Sequence, residues 1–358
     1  MLKYIDEFFL SLIFCCFFGF YVLSVYQPYT FLNADPGWTL EVTKSLIEDG
    51  DLDLKNQLNN SLVKASDQTA LGIYGEWYPV HEYLISVLAV PFFFLLGVNG
   101  ALYFNILMML AIALLLYRLL KIGHSSEISF ISVMILILSS TFFGYSYSFS
   151  LDVFGVLTLL SSLYPLAKSR YKLAGFFWGV AVFSRLFNVL SVFGIIAYVF
   201  FKDKRGFLKN IILFILGGLP LLGIFFLSNY LMFGGIFELS YNHWNCTSLE
   251  NYTSVLQQDL KIPYLIRLNE IIFSPQEGIF KTFPFFPFIL LSSIFLLKKY
   301  PAEILLAIIN TLVYLLFFAK YSFFPGGAGN RYLFPLLIYF AFPLALVVNQ
   351  FLHKKPNK

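Results

Sequence analysis

Asp35 is the residue whose type and position point most directly to chemistry. It lies in FLNADPGW, just past the first apolar run, and opens a polar stretch in an otherwise apolar sequence. A carboxylate held near hydrocarbon is costly and marks a functional site by default. Asp35-Pro36 also fits an N-cap followed by a proline suited to the first helical turn, so both readings are open at this point. Other charges stand at the edges of apolar runs: Arg185, Lys281, Lys320 and Arg331, with the acids Glu82, Asp152 and Glu277. Cations that neutralise a phosphate, beside a carboxylate that serves the reacting partner, are what a lipid-phosphate site needs. Snorkelling or ion pairing between helix ends accounts for any one of these residues. For Asp152, at the start of an apolar run, the cap or ion-pair reading is favoured.

The elements that position these residues belong to a polytopic, all-α membrane protein. Hydrophobic residues make up 59% of the 358-residue chain and charged residues 12%, with a mean hydropathy of +0.76. A soluble domain of this length does not have such a composition. Cys15 and Cys16 are adjacent in the first apolar run and Cys246 stands alone, so no structural disulfide is expected. The run from Phe8 to about Tyr26 is too long for a signal h-region and reads as a retained span.

Charge sets the topology. Fifteen of the 24 Lys and Arg residues fall in short segments: Lys3; Arg118 and Lys121; Lys168, Arg170 and Lys172; Lys202, Lys204, Arg205 and Lys209; Lys298 and Lys299; Lys354, Lys355 and Lys358. The positive-inside rule makes these the cytoplasmic ends. The segment 27–83 carries nine acids against Lys44, Lys55 and Lys64, and belongs on the other side. Ten spans follow, at 8–26, 101–120, 128–144, 149–167, 171–185, 187–201, 208–231, 283–299, 301–320 and 331–352, with both termini cytoplasmic. The run Tyr83–Gly97 does not fit as a span, because counting it would flip every later basic loop. It reads as an outer juxtamembrane helix broken near Pro91. A second amphipathic helix, Gly37–Glu48, has Trp38, Val42, Leu46 and Ile47 for a membrane face. The chain reads as one transmembrane domain, 1–358, without a separate soluble domain. Its first extracytoplasmic loop is 27–100 and another is 232–282. Arg185, Lys281, Lys320, Arg331 and the acids near them then share the extracytoplasmic side, a gathering that snorkelling leaves unexplained.

Several segments resemble, in order, the GT-C type integral-membrane glycosyltransferases that use polyprenyl-phosphate sugars, such as protein mannosyltransferases and lipid A aminoarabinose transferases. They are ADPGWTLEVTKSLIEDGDLDL (34–54), GEWYPVHEYLISVLAVPFFFLLG (75–97), YSYSFSLDVFGVLTLLSSLYPLAKSR (145–170), VAVFSRLFNVL (180–190), FGGIFELSYNHW (233–244), IIFSPQEGIFKTFPFF (271–286) and GGAGNRYLFPLL (326–337). Two departures stand out. Many relatives have a second acid after the first-loop Asp, where this chain has Pro36, and His81-Glu82-Tyr83 replaces the usual His-Pro-Pro.

The resemblance implies a glycosyltransferase, hexosyl or pentosyl, with a polyprenyl-phosphate sugar donor and a glycan, lipid or protein acceptor, working among membrane lipids. Its leaving phosphate is a stable anion, so no general acid is needed and one carboxylate base suffices, unlike glycoside hydrolysis. The resemblance assigns that base to Asp35, with inversion at the sugar. Arg331 is the first candidate for the donor phosphate, because GGAGN allows close backbone approach and a guanidinium binds two oxygens. Lys281 and Arg185 are the second candidates, and Tyr78, His81 and Glu82 the expected pocket residues. Metal ligands are not identified, and a divalent cation is left open as a cofactor. A transporter or flippase is the rival reading; it predicts mid-membrane charges and internal repeats, which the sequence does not show. The basic residues are topology anchors, so no nucleic-acid role is expected.

Overall fold

The computed structural model describes residues 6, 8–13, 35–60, 68–244, 264–320 and 330–353. Cys15, Cys16, Cys246 and Lys64 lie outside these residues. Helices α1 (Asp35–Glu48) and α2 (Lys55–Asn60) precede a short antiparallel ribbon, β1 (Thr69–Leu71) and β2 (Trp77–Pro79), with Ala70 opposite Tyr78. The bundle follows as α3 (Leu84–Leu120), α4 (Ser126–Leu138), α5 (Leu151–Ala167), α6 (Tyr171–Ser184), α7 (Val192–Lys202) and α8 (Phe207–Phe233). It continues with α9 (Tyr264–Phe273), α10 (Ile279–Thr282), α11 (Phe286–Leu296), α12 (Pro301–Phe318) and α13 (Leu336–His353). Helical residues occur within each of the ten expected spans. By length and composition α3, α8 and α12 suffice to cross a membrane. Helices α4 and α11 rise only about 20 and 16 Å, short of a hydrocarbon core of about 30 Å. The chain is a polytopic, helical, integral membrane protein.

The break expected near Pro91 falls instead at Gly97, whose φ of 59° and ψ of −145° leave the helical region. Glycine occupies that conformation without a Cβ penalty, whereas Pro91 sits inside a continuous helical turn. Residues 84–96 and 98–120 are therefore two helices. Their reversal is shown by Phe92 and Phe104, whose ring centroids are 4.8 Å apart. Twelve residues of straight helix would separate them by about 18 Å. The separate helix expected over Tyr83–Gly97 is thus present, with its hinge six residues later than the sequence suggested.

The amphipathic face assigned to α1 also needs correction. Trp38 and Val42 are buried against Leu54, with Leu46, Leu52 and Tyr83 packed around them. They face the protein's own first loop and the start of α3, where Ser86 donates to the Thr39 carbonyl at 2.9 Å. A tryptophan and a valine spaced by four mark one face of a helix, but the pattern does not say whether lipid or protein covers it.

Two contacts set the frame of the bundle. At one end of α3, Lys121 Nζ meets the Asp6 carboxylate at 2.9 Å, and Tyr117 and Ser126 donate to the same oxygen. At the opposite end, the Asn105 amide holds the 145–150 turn: Nδ2 donates to the Tyr145 and Ser146 carbonyls, both at 2.9 Å, and Oδ1 accepts from Ser150 N–H at 3.2 Å. Helices α6 and α8 pack backbone to backbone. A Cβ at Gly175 would lie 1.8 Å from the Phe214 carbonyl oxygen, and one at Gly217 would lie 1.9 Å from that of Lys172. Gly175→Ala is expected to cost at least about 1–3 kcal/mol, read as a lowered midpoint of thermal unfolding in detergent. Gly223→Ala, with open space at its Cβ, should be neutral or mildly stabilising; equal losses in both would contradict the packing argument.

Candidate active site

Asp35 begins α1 and is buried, at 7% exposure. Its side chain does not serve as a simple cap. One carboxylate oxygen lies 2.5 Å from Arg331 Nη2, and the other lies 3.6 Å from His81 Nε2. A second carboxylate, Asp152, stands in the first turn of α5 behind the N-cap Ser150. Asp152 Oδ1 is 3.1 Å from Arg185 Nε, and Oδ2 is 3.7 Å from Arg331 Nε. Two acids and two guanidiniums therefore form one chain of contacts, Asp35–Arg331–Asp152–Arg185, drawn from four separate parts of the sequence.

Each member is placed by local structure. Arg185 ends α6 in an extended conformation, φ −158° and ψ 107°, before a 3-10 turn over Leu186–Ser191. Glu82 fixes that junction, since its Oε1 accepts the Leu186 N–H at 2.9 Å. Arg331 opens a 3-10 turn, Arg331–Leu333, capped by the Asn330 side chain, which accepts from Tyr332 N–H at 3.1 Å. Asn330 N–H in turn donates to Thr282 Oγ1 at 2.9 Å, tying the turn to α10. Tyr332 stacks on Phe318 with centroids 5.0 Å apart and planes 8° from parallel. The guanidinium carbons of Arg185 and Arg331 both stand over the Tyr332 ring, at 5.9 and 5.8 Å.

His81 is held from the far side. Its Nδ1 lies 3.0 Å from the Tyr241 hydroxyl, within the 3-10 turn Ser240–His243. Ser240 Oγ donates to the Val80 carbonyl at 2.5 Å, and Ala70 bridges Trp244. The first loop and the loop after α8 are thus sewn together around His81.

Of the residues expected from sequence, Asp35, Arg331, Arg185, His81 and Glu82 converge here. Two do not. Tyr78 packs edge-on against Phe233, 5.9 Å between centroids, in a small cluster with Ala70 and Val80. Lys281 is exposed on α10 and makes no ion pair among the described residues, although its neighbour Thr282 supports the Arg331 turn. Of the other edge charges, Lys320 lies 5.2 Å over the Tyr264 ring, and Glu277 lies in the field of Arg267 and Glu270. The sequence alone did not single out Tyr241, Tyr332 or Asn330. Tyr332 follows Arg331 and Tyr241 lies in FELSYNHW, but an aromatic in so aromatic a chain carries no signal by itself. Asp152, read as a cap or ion-pair partner, is the carboxylate that spans both arginines.

Burial pushes the Asp35 carboxyl up, yet His81, Arg331 and Arg185 outweigh it and hold the group well below the usual carboxylate range. Arginine is always charged. Both Nε atoms face Asp152, whereas Arg185 Nη1 is buried without a hydrogen-bond acceptor. The cluster thus retains donor capacity beyond its own ion pairs. Among the described residues no group of three or more His, Cys, Asp or Glu could hold a metal ion.

Residues 79–230 match the family model described as dolichyl-phosphate-mannose-protein mannosyltransferase. That stretch contains His81, Glu82, Asp152 and Arg185, while Asp35 and Arg331 lie outside it. No curated protein matches the chain in sequence. The fold is similar to that of ArnT from Cupriavidus metallidurans, in a crystal structure bound to undecaprenyl phosphate. The TM-score is 0.52 over 93% of this chain and 60% of that one, at 12% identity. The chain therefore spans about 60% of the length of that solved relative. Both matches support the resemblance to the GT-C type membrane glycosyltransferases, and the fold is similar to that of ArnT.

A depressed folded pKa means that the Asp35 contacts contribute stability above the unfolded value of about 3.9, and lose it as pH falls through the lower folded value. The unfolding-midpoint gap between the native protein and Asp35→Asn should be flat from about pH 8 to 5 and should narrow only below about pH 4. Closure of the gap between about pH 7 and 6 would assign the effect to histidine titration instead.

Proposed function

We propose that this chain is a membrane glycosyltransferase that moves a sugar from a polyprenyl-phosphate donor to an acceptor hydroxyl at the extracytoplasmic face. The observation that carries the reading is the convergence of Arg185 and Arg331, with the buried Arg185 Nη1 to spare, beside the carboxylate of Asp35. The GT-C type fold supports it, as does the undecaprenyl phosphate bound by the structurally similar ArnT.

In this reading Arg331 and Arg185 hold the donor phosphate, whose oxygens match the planar guanidinium fork. Asp35 takes the proton of the acceptor hydroxyl. The acceptor oxygen attacks the anomeric carbon from the face opposite the phosphate, the carbon–oxygen bond to phosphate breaks, and polyprenyl phosphate leaves with the electron pair. One displacement of this kind inverts the anomeric centre. The leaving group is already an anion, and the arginines stabilise the charge that grows on it. His81 and Glu82 border the pocket, His81 against Asp35 and Glu82 at the Arg185 junction. Lys281, exposed on α10, has no part in this first circle of contacts.

Asp35→Asn should reduce transfer from an undecaprenyl-phosphate sugar by at least about 10²-fold, with the protein still monodisperse in detergent. Near-normal turnover would sink the base assignment. Arg331→Ala should raise the donor KM, and unchanged donor affinity would remove it from the site. Mass spectrometry of lipid-linked and envelope glycans, with and without the protein, identifies the sugar and the acceptor.

A further inference from the structure

We propose that the Asp35–Arg331 ion pair is a resting lock which the phosphate of the lipid donor opens, so that Asp35 becomes free to act as base only after the donor has bound. This rests on the glycosyltransferase reading above and adds to it an order of events and a coupling between two groups.

The geometry sets up a competition. Arg331 Nη2 is committed to Asp35 at 2.5 Å, and the same guanidinium is one that the proposed function gives to the donor phosphate. Its stem is held separately, because Arg331 Nε faces Asp152 Oδ2 at 3.7 Å, on the carboxylate that also takes Arg185 Nε at 3.1 Å. Asp152 thus stands beside both arginines, and the planar Arg331 guanidinium can swing as a unit from one acceptor to another without moving the backbone. Arg185 enters with Nη1 buried and lacking a hydrogen-bond acceptor. It offers a first contact to an incoming anion, while Arg331 is still engaged.

Asp35 is not left alone when Arg331 turns away. His81 Nε2 stands 3.6 Å from its other oxygen, with His81 Nδ1 backed by the Tyr241 hydroxyl at 3.0 Å. While both Arg331 and His81 face it, the carboxylate lies well below its usual range and is a poor proton acceptor. Transfer of Arg331 to the phosphate removes one of the fields that depress it, and the phosphate's own negative charge raises it further. A resting enzyme thus keeps its base quenched, and the donor unquenches it.

Reciprocity gives the test. If donor binding releases Asp35 from Arg331, removing the Asp35 charge must release Arg331 for the donor by the same factor. The probe is undecaprenyl phosphate, titrated onto the full chain in nanodiscs. Asp35→Asn should bind it at least about tenfold more tightly than the native protein, within the usual range of coupling between sites. In an Arg331→Gln background, where Arg185 remains to hold the lipid, the same Asp35→Asn change should alter affinity less than about twofold. Asp35→Ser serves as the second variant, and monodispersity by size-exclusion chromatography checks folding.

Equal tightening in both backgrounds would mean plain through-space repulsion and would overturn the lock, leaving the donor reading intact. Unchanged or weaker binding by both Asp35 variants would overturn it as well. Failure of the native protein and every variant to bind the lipid phosphate would overturn the lock together with the donor reading.

Discussion

The central constraint on this fold is the cost of placing four charges in a bundle that is otherwise nearly all apolar. Asp35 and Asp152 at 7% exposure and Arg185 at 4% are buried, and Arg331 is half-buried. An isolated buried ion costs several kcal/mol even after the protein relaxes. The chain meets that cost by alternation of sign, acid to base to acid to base. Such pairing does not by itself stabilise a protein, since apolar residues of similar volume often do as well or better. The cluster is therefore better explained by its role in the proposed function than by what it contributes to folding.

Much of the surrounding structure keeps these charges in register. Asn105, buried in α3, secures the turn that delivers Asp152. Glu82 accepts the Leu186 N–H at the start of the 3-10 turn after Arg185, a donor that the beginning of a helical turn leaves unpaired. Asn330 and Thr282 hold the Arg331 turn, and Tyr332 provides an aromatic floor beneath both guanidiniums. The loop after α8, through Ser240 and Tyr241, holds His81 on the remaining side of Asp35. Every one of these supports comes from a different segment, so the site exists only once the bundle has assembled.

That dispersal explains what could be read from the sequence. Membrane class, the apolar segments and the residues gathered around Asp35 were legible because each is written locally, in hydropathy and in charges at span edges. The hinge was misplaced to Pro91 because proline is the usual helix breaker, whereas the actual break uses a positive φ that only the three-dimensional reversal reveals. Trp38 and Val42 looked lipid-facing because amphipathicity has no label for its partner. Lys281 and Asp152 exchanged importance for a related reason. Both sit beside the right surface in sequence, but only the packing of α5 against the Arg185 junction decides which one meets the arginines.

Charge balance also bears on Pro36. The carboxylates of Asp35 and Asp152 face two guanidiniums and one imidazole, while Glu82 is engaged with the Leu186 N–H one step further out. The phosphate of the proposed donor would meet a site that offers it the buried Arg185 Nη1. A carboxylate at position 36, as many GT-C relatives have, would add a third acid one residue from Asp35. It would compete for Arg331 and His81 and turn the balance against an anion unless another cation joined it. Proline there presets the first turn of α1 and adds no charge. The acid pair of those relatives and the Asp–Pro of this chain thus imply different complements of cations. In this chain His81 and the two arginines already match the charges present.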